Sequence, residues 1–397
     1  MAIHIRIPRR RFVALGAGSA ALAALPRSAA ANQGVSKGEL VIGSLQDLSG
    51  PIAVLGKPIV NGMTLRVEQA NAAGGIHGRK LRLVVEDTGY DPKKAVLGAQ
   101  KLLGQDKIFA MVGSLGTVVA LPTIPLVLER GLPHLFPITA HNGTFEPFHK
   151  MKFALTTPYT DSTKTGLKEM LKRGNYKRVG ILYQDDEYGL EVLRGTEAAL
   201  KDVGLALVER TSYKRGSTDF SSQMQRLRAA NPDLTVLGTI VRETIGAMAA
   251  GRQLGYAGDF FGSQAAYMPA VARAGGKAVE GLYAMSETPT PYRDDPKNNK
   301  LLNDWLDAYK QRFNEDADLW SVTGWMVVDI FVKAAEKAGP NLTPDGLVQA
   351  LETTTYPRSY LGTPEYVFGP NRRLGNRQTR IAQIQNGRWT SVSDFVQ

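Results

Sequence analysis

The chain has 397 residues, of which 43% are hydrophobic and 21% charged, with 48 basic against 37 acidic side chains and a net charge of +11. These proportions are typical of a soluble globular protein, and the length indicates two α/β lobes rather than one core. The absence of cysteine excludes disulfides, thiolate metal sites and cysteine nucleophiles.

The first 31 residues have the features of an export signal. Arg9 to Arg11 precede an apolar, alanine-rich run over residues 12–25, and the small residues Ala29 and Ala31 fit a cleavage site. We therefore predict a twin-arginine-like signal peptide over residues 1–31 and a periplasmic location. The apolar run is shorter than the roughly 20 residues of a membrane span, and an uncleaved anchor is the alternative.

Removal of this segment takes away five arginines and no acids, which leaves 43 basic against 37 acidic residues, a net charge of +6. This excess is mild and spread thinly. Because basic residues do not alternate with aromatic ones, nucleic acid is not expected as a partner.

The first part of the mature chain predicts strands that alternate with helices. We expect strands over 39–45, 79–86, 109–113 and 134–137, and helices over 58–72, 91–103 and 117–129. A strand–helix–strand unit at this spacing makes a parallel pair, because a crossover needs a dozen or more residues. Such alternation predicts a doubly wound sheet.

The pattern then repeats after a turn-rich passage over residues 156–161, which we interpret as a crossing between lobes. The second series has helices over 162–173, 189–203, 221–230 and 244–254 and strands over 178–183, 206–213, 234–238 and 259–262. A strand over 281–286 is expected to cross back, helices over 298–313 and 321–338 to cover the first lobe, and 366–397 to form short strands and turns.

Two polar segments lie at the expected carboxyl ends of neighbouring strands, where ligands of such sheets bind. They are Gly113-Ser114-Leu115-Gly116-Thr117 and Ile138-Thr139-Ala140-His141. The first opens a helix, so its free N–H groups and the helix dipole favour a carboxylate or another anion.

A serine hydrolase is the enzymatic alternative at this place. The nucleophile elbow G-x-S-x-G requires glycine where Val112 stands, and no acid and histidine follow Ser114 in a suitable order. A third interpretation is that Ser114 only caps the helix.

Several segments together resemble one family. They are residues 49–56 (SGPIAVLG), the glycine-rich stretch 71–78 at the end of the first predicted helix, the strand that ends at Asp87, the Gly113-Ser114 loop, residues 136–139 and the loop 183–189 (YQDDEYG). Their order and spacing resemble the periplasmic substrate-binding proteins of branched-chain amino-acid (Leu/Ile/Val-type) ABC transporters. The resemblance implies an α/β fold of two doubly wound parallel-sheet lobes, joined by a three-crossing hinge around a ligand cleft. The expected lobes are 37–157 plus 285–360 and 158–284 plus 361–397.

The resemblance also implies which residues meet the ligand. The serine after the third strand and the residues after the fourth hold a carboxylate in this family, which indicates the loop residues Ser114, Leu115, Ile138, Thr139 and Ala140 here. Family threonine falls where Ala140 stands, so Thr139 is expected to substitute.

Three further positions depart from the family and one agrees. Leu55 and Ile240 replace aromatic residues, and the neutral Gln264 stands where an acid usually holds the ligand's ammonium. Tyr188 matches a family tyrosine, expected to cover the ligand or donate its hydroxyl, with a half-buried packing role as the alternative.

These departures favour a small carboxylate with an apolar or aromatic body over a zwitterionic α-amino acid. The predicted function is that of a solute-binding component of an ABC uptake system, not an enzyme, with a small-molecule ligand and an inner-membrane permease as partners. No cofactor or metal is expected, because the acidic loop at Asp185 to Glu187 has no further ligands at suitable spacing. A sensor that signals to a receptor is the alternative.

Overall fold

The structure is a computed structural model and describes residues 33–396. The predicted signal peptide over residues 1–31 lies outside the described residues.

The first lobe is built on a five-stranded, fully parallel sheet in the order β2-β1-β3-β4-β5. Its strands are β1 (Glu39–Gln46), β2 (Lys80–Asp87), β3 (Ala110–Val112), β4 (His134–Leu135) and β5 (Lys152–Phe153). The first three strands are each followed by a helix: α1 (Ala53–Ala72), α2 (Pro92–Gly104) and α3 (Thr117–Glu129). The short β3 and β4 are fully buried, as the apolar stretch predicts.

The second lobe has a seven-stranded sheet in the order β14-β13-β10-β9-β8-β6-β7, in which β13 and β14 are antiparallel additions to a parallel set. Its strands are β6 (Val179–Gln184), β7 (Leu207–Tyr213), β8 (Leu234–Gly238), β9 (Asp259–Gly262), β10 (Tyr283–Ser286), β13 (Arg380–Gln385) and β14 (Arg388–Ser391). Its helices are α4 (Tyr159–Gly174), α5 (Glu187–Asp202), α6 (Ser221–Ala230), α7 (Val241–Gln253) and α8 (Pro269–Gly275).

The remaining elements return to the first lobe. They are α9 (Lys300–Phe313), α10 (Leu319–Ala338), α11 (Pro344–Glu352) and a small sheet of β11 (Thr355–Tyr356) and β12 (Tyr366–Val367). The chain therefore passes between the two sheets after β5, after β10 and before β13, and the predicted two-lobed fold with three crossings is confirmed. The predicted lobe boundaries stay a prediction.

Two of the elements that differ from the sequence-based prediction have an evident structural cause. The strand expected to cross back, β10, pairs with β9 and β13 in the second sheet, and the crossing follows it. Helix α1 begins at Ala53 instead of residue 58, so Pro58 lies inside it. The Asp47 carboxylate accepts the N–H groups of Gly50 at 2.5 Å and Ile52 at 2.8 Å, and this turn starts the helix before the proline.

Helices α1 and α10 approach each other at glycine. A Cβ atom at Gly62 would lie 2.0 Å from the carbonyl oxygen of Ser321, and one at Gly324 would lie 2.0 Å from that of Ile59. Because both obstacles are main-chain atoms, they could move away only if the helices separated. This contact fixes the amino-terminal end of α10 against the first lobe.

We expect Gly324→Ala to lower the free energy of unfolding by about 1–3 kcal/mol, because the added methyl group overpacks the contact of α1 with α10. Gly104→Ala is the matched control, since Gly104 ends a helix and a Cβ atom there meets nothing within 4 Å. Urea unfolding of both variants measures the effect. An unchanged free energy for Gly324→Ala would contradict the close approach.

Candidate functional site

A cavity of about 130 Å³ lies between the loops that follow the strands of the two sheets. Leucine, isoleucine, methionine and aromatic side chains form most of its wall, and it is lined by no lysine, arginine or histidine among the described residues. The predicted site residues that line it are Leu55, Leu115, Ile138, Thr139, Ala140, Tyr188, Ile240 and Gln264. The structure thus brings together eight of the nine residues chosen from the sequence.

The amino-terminal end of α3 forms the floor of the cavity on the first lobe. The hydroxyls of Thr117 and Thr139 are hydrogen-bonded at 2.7 Å, and both residues line the cavity. Gly116, just before the helix, has a φ of 93°, and a Cβ atom there would lie 2.5 Å from the Tyr90 ring. Glycine therefore allows both the turn into α3 and the close packing of Tyr90. The first N–H groups of a helix have no partner inside the helix, so this floor offers donors to an anion.

Ser114 is the predicted residue that the structure does not bring to the cavity. It is fully buried, does not line the cavity, and its hydroxyl has no hydrogen-bond partner among the described residues. A ligand contact of Ser114 stays a prediction, and Thr117, three residues further along, is the hydroxyl-bearing residue of this segment that lines the cavity. Periodicity places the loop correctly but does not tell which of its side chains faces the ligand.

The hydroxyl of Tyr188 is engaged within the second lobe. It donates to the carbonyl oxygen of Thr239 at 3.0 Å and lies 2.9 Å from the Ser263 hydroxyl, while the ring lines the cavity. The Asp186 carboxylate accepts the Tyr188 N–H at 3.2 Å, which caps α5 and fixes the tyrosine. Tyr188 therefore lines the cavity while its hydroxyl is hydrogen-bonded within the second lobe.

Both polar atoms of the Gln264 side-chain amide are hydrogen-bonded. Its Nε2 donates to the carbonyl oxygen of Thr157 at 2.9 Å, and its Oε1 accepts from the Ser162 hydroxyl at 2.7 Å. The side chain thus links the wall of the second lobe to the first crossing.

Aromatic residues that the sequence did not single out complete the wall: Tyr90, Tyr159, Tyr267, Trp320 and Tyr366. The Tyr159 and Tyr188 rings meet edge to face, with centroids 4.8 Å apart. A capping box at Asp318 starts α10 and places Trp320, whose buried indole N–H has no acceptor among the described residues. The position of Tyr90 after β2 was a usable signal, whereas Trp320 comes from a helix far along the chain.

The two lobes touch beside the cavity. The Glu191 carboxylate of α5 accepts the N–H of Asn142 at 3.1 Å and lies 3.6 Å from His141 Nε2, in the loop after β4. Burial raises the pKa of Glu191 and lowers the pKa of His141 to about 4, so the imidazole is neutral at pH 7. The Arg215 guanidinium of the second lobe lies 5.7 Å from the centroid of the Tyr90 ring. The loops of the two sheets are therefore in contact beside the cavity.

Glu287 is the one acidic side chain among the residues that line the cavity. It follows β10 on the second crossing, and its carboxylate accepts the Thr157 N–H of the first crossing at 2.8 Å and the Asn376 side-chain N–H of the third at 3.1 Å. Burial raises the pKa of Glu287 to about 7. Sequence analysis missed this acid, although its position after a strand of the second sheet was a signal.

Among the described residues, no group of three or more His, Cys, Asp or Glu side chains is arranged to hold a metal ion. Within residues 33–396, no helix has the length and apolar character required to cross a membrane.

Residues 39–388 match the periplasmic binding protein family. The chain belongs to this family. The leucine-, isoleucine-, valine-, threonine- and alanine-binding protein of Pseudomonas aeruginosa is 24% identical over 320 residues, which cover 80% of this chain and 84% of the relative.

Two solved structures are similar over nearly the whole chain. A fatty acid ABC transporter substrate-binding protein from Thermomonospora curvata is 25% identical with a TM-score of 0.81, and the match covers 92% of this chain and 94% of that one. An ABC transporter solute-binding protein from R. palustris, solved with benzoate, is 18% identical with a TM-score of 0.78, and the match covers 90% and 96%. At 18% identity this second likeness concerns the fold.

Family membership confirms the predicted resemblance to type I periplasmic binding proteins of the Leu/Ile/Val group. The relatives are binding proteins for small molecules, not enzymes, and the family implies a periplasmic location. The twin-arginine signal and the permease partner stay predictions.

We expect Tyr188→Phe to lower the free energy of unfolding by about 1–2 kcal/mol, because the hydroxyl bonds to Thr239 and Ser263 are lost in a buried place. Binding of a carboxylate should not weaken, since the ring stays in the wall. Urea unfolding and calorimetric titration separate the two effects. Weaker binding with unchanged stability would instead indicate that the hydroxyl reaches the ligand.

Proposed function

We propose that this periplasmic binding protein takes up a small carboxylate with an apolar or aromatic body and delivers it to an inner-membrane ABC permease after export by its twin-arginine signal. The observation that carries the proposal is the composition of the cavity: an apolar and aromatic wall with uncharged donors on one side. Lobe closure stabilised by the ligand is the state that a permease would recognise.

The donors fit a carboxylate that keeps its charge. One hydroxyl of the Thr117–Thr139 pair donates to the other, which leaves one hydroxyl hydrogen of the pair for a ligand. The first N–H groups of α3 and the Trp320 indole N–H, which has no acceptor among the described residues, are further donors. A buried carboxylate needs several such hydrogen bonds, because the desolvation cost is otherwise large. No basic side chain is required for this.

The volume favours a compact body. An engineered apolar cavity of about 150 Å³ in another protein holds benzene, and the cavity here has about 130 Å³. A single ring or a short branched chain fits this space, whereas the extended chain of a long fatty acid would need the cavity to open.

An α-amino acid is the second candidate, favoured by the carboxylate of Glu287 in the cavity. An ionised carboxylate pairs with an ammonium group, and the Pseudomonas aeruginosa relative is named for leucine and other amino acids. Against it, burial holds the pKa of Glu287 near 7, and both of its oxygens already accept hydrogen bonds from the crossings.

The serine hydrolase interpretation has little support in the geometry. Ser114 does not line the cavity, and no histidine does so among the described residues. A sensor role would use the same lobe closure, and copurification with a permease or with a receptor separates sensing from uptake.

Calorimetric titration of the purified protein with benzoate, hexanoate and L-leucine tests the ligand class. We expect benzoate or hexanoate to bind more tightly than L-leucine. The cavity offers hydrogen-bond donors for one carboxylate and mostly apolar contacts for the remaining part of the ligand. Leucine bound far more tightly than both acids would contradict the proposal and favour the amino-acid candidate.

The matched variants are Thr139→Val in the cavity and Thr196→Val outside it. Thr196 is a fully buried threonine of α5 whose hydroxyl donates to the Val192 carbonyl oxygen. Loss of one hydrogen bond to a charged ligand corresponds to about 1.5–3 kcal/mol, so Thr139→Val should weaken binding roughly 10- to 150-fold. Thr196→Val should bind like the wild type, and equal losses in both variants would point to a general effect on folding.

A further inference from the structure

The second crossing carries a carboxyl group that is at once part of the cavity and part of the hinge. Glu287 lines the cavity and accepts hydrogen bonds from Thr157 on the first crossing and from Asn376 on the third. Asn376 also donates to the carbonyl oxygen of Gln378, and Gln264 donates to that of Thr157. The charge of this group therefore affects both the ligand and the three segments on which the lobes pivot.

In the described part of the chain, the carboxyl group of Glu287 has no positively charged partner. Within residues 33–396 Glu287 forms no ion pair, and the groups that donate to its carboxylate are all uncharged: the N–H and the hydroxyl of Thr157 and the side-chain amides of Asn376 and Gln264. Arg380 donates at 3.4 Å to the main-chain carbonyl oxygen of Glu287, not to its carboxylate. The other titratable groups nearby are tyrosines: Tyr366 feels the charge of Glu287 and, like Tyr267 beside Arg380, has a raised pKa and is neutral.

No basic side chain among the described residues lines the cavity, so nothing there would neutralise the charges of a ligand carboxylate and an ionised Glu287. In a mostly apolar cavity of about 130 Å³, a ligand carboxylate and an ionised Glu287 would repel each other, because little water separates the two charges. Protonation of Glu287 removes the repulsion. The neutral acid can still accept both hinge hydrogen bonds, and it gains one O–H donor that can face the ligand.

We propose that Glu287 determines which ligand charge the cavity accepts: a carboxylate binds together with one proton, which Glu287 takes from the solvent, and the neutral acid then completes the closed hinge. This rests on the proposed function and adds to it the proton that accompanies the ligand. A ligand with an ammonium group would have the opposite effect, since it favours the ionised form and releases a proton.

The sign of the pH dependence follows from linkage. The pKa of Glu287 is about 7 without ligand, so at pH 8 most of the proteins must first gain a proton, whereas at pH 6 most already carry it. We therefore expect benzoate to bind about tenfold more weakly at pH 8 than at pH 6, with about half a proton taken up per ligand at pH 7.

The experiment is calorimetric titration of the full mature protein with benzoate and hexanoate in buffers of different ionisation enthalpy, from pH 6 to pH 8. Wild-type protein should take up protons, and Glu287→Gln should bind with neither proton uptake nor the tenfold pH dependence. Glu243→Gln is the matched control, because Glu243 is another buried glutamate with a raised pKa that does not line the cavity. It should take up protons like the wild type.

The outcomes distinguish this inference from the proposed function. Carboxylate binding without proton uptake, or uptake that persists in Glu287→Gln, would overturn the role of Glu287 alone. Binding of L-leucine with proton release, while neither acid binds, would overturn the ligand class as well. If Glu287 had only a structural role, Glu287→Gln would lower the free energy of unfolding, and the wild-type protein would bind the ligand without taking up a proton.

Discussion

The structure depends on one electrostatic constraint: an ion that enters the apolar cavity must find its hydrogen bonds there without a basic side chain. The described residues that line the cavity include no lysine, arginine or histidine, so hydroxyls and the amino-terminal end of α3 are the available donors. Such donors stabilise a carboxylate only when water is excluded and when they are fixed in position. Lobe closure and the rigid packing of the first lobe provide these two conditions.

The packing explains how distant parts of the chain reach one small space. Helix α10 lies against α1 through glycine, and the capping box at Asp318 starts it where Trp320 enters the wall. On the other lobe, Asp186 caps α5 and holds the Tyr188 ring over the cavity. The contact of Glu191 with Asn142 then joins the two lobes next to the ligand space. On each lobe, a capping residue at the start of a helix positions the aromatic side chain in the cavity wall. Contacts between distant parts of the chain, which local sequence does not predict, then bring the two sides together.

Much of the fold follows from periodicity and strand-to-helix spacing. Helices α3 and α6 and strands β8 and β9 have the bounds predicted from the sequence, because apolar periodicity and turn residues agree there. The start of α1 was missed because Pro58 resembles a first-turn proline, whereas the turn held by Asp47 begins the helix earlier. The order of β10 was missed because its pairing partner β13 lies almost a hundred residues further along the chain.

The site was predictable where a residue directly follows a strand. Thr139 and Ala140 follow β4 and line the cavity, and Thr117 lines it from the preceding segment, whereas Ser114 does not. The positions of Trp320 and Tyr366 in the cavity wall could not be predicted from local sequence, since these residues belong to α10 and to the small β11–β12 sheet. Glu287 also follows a strand, β10, but the family resemblance indicates the position of Gln264 for an acid, not that of Glu287. A single acid on the hinge changes the electrostatics of the whole cavity, which a count of apolar positions does not reveal.

A crystal structure of the mature protein with benzoate tests the central claim most directly. The account predicts closed lobes, the carboxylate within hydrogen-bond distance of the Thr117 and Thr139 hydroxyls at the start of α3, and the ring among the aromatic side chains. A carboxylate directed away from α3, or a ligand bound outside the cavity with the lobes apart, would contradict it.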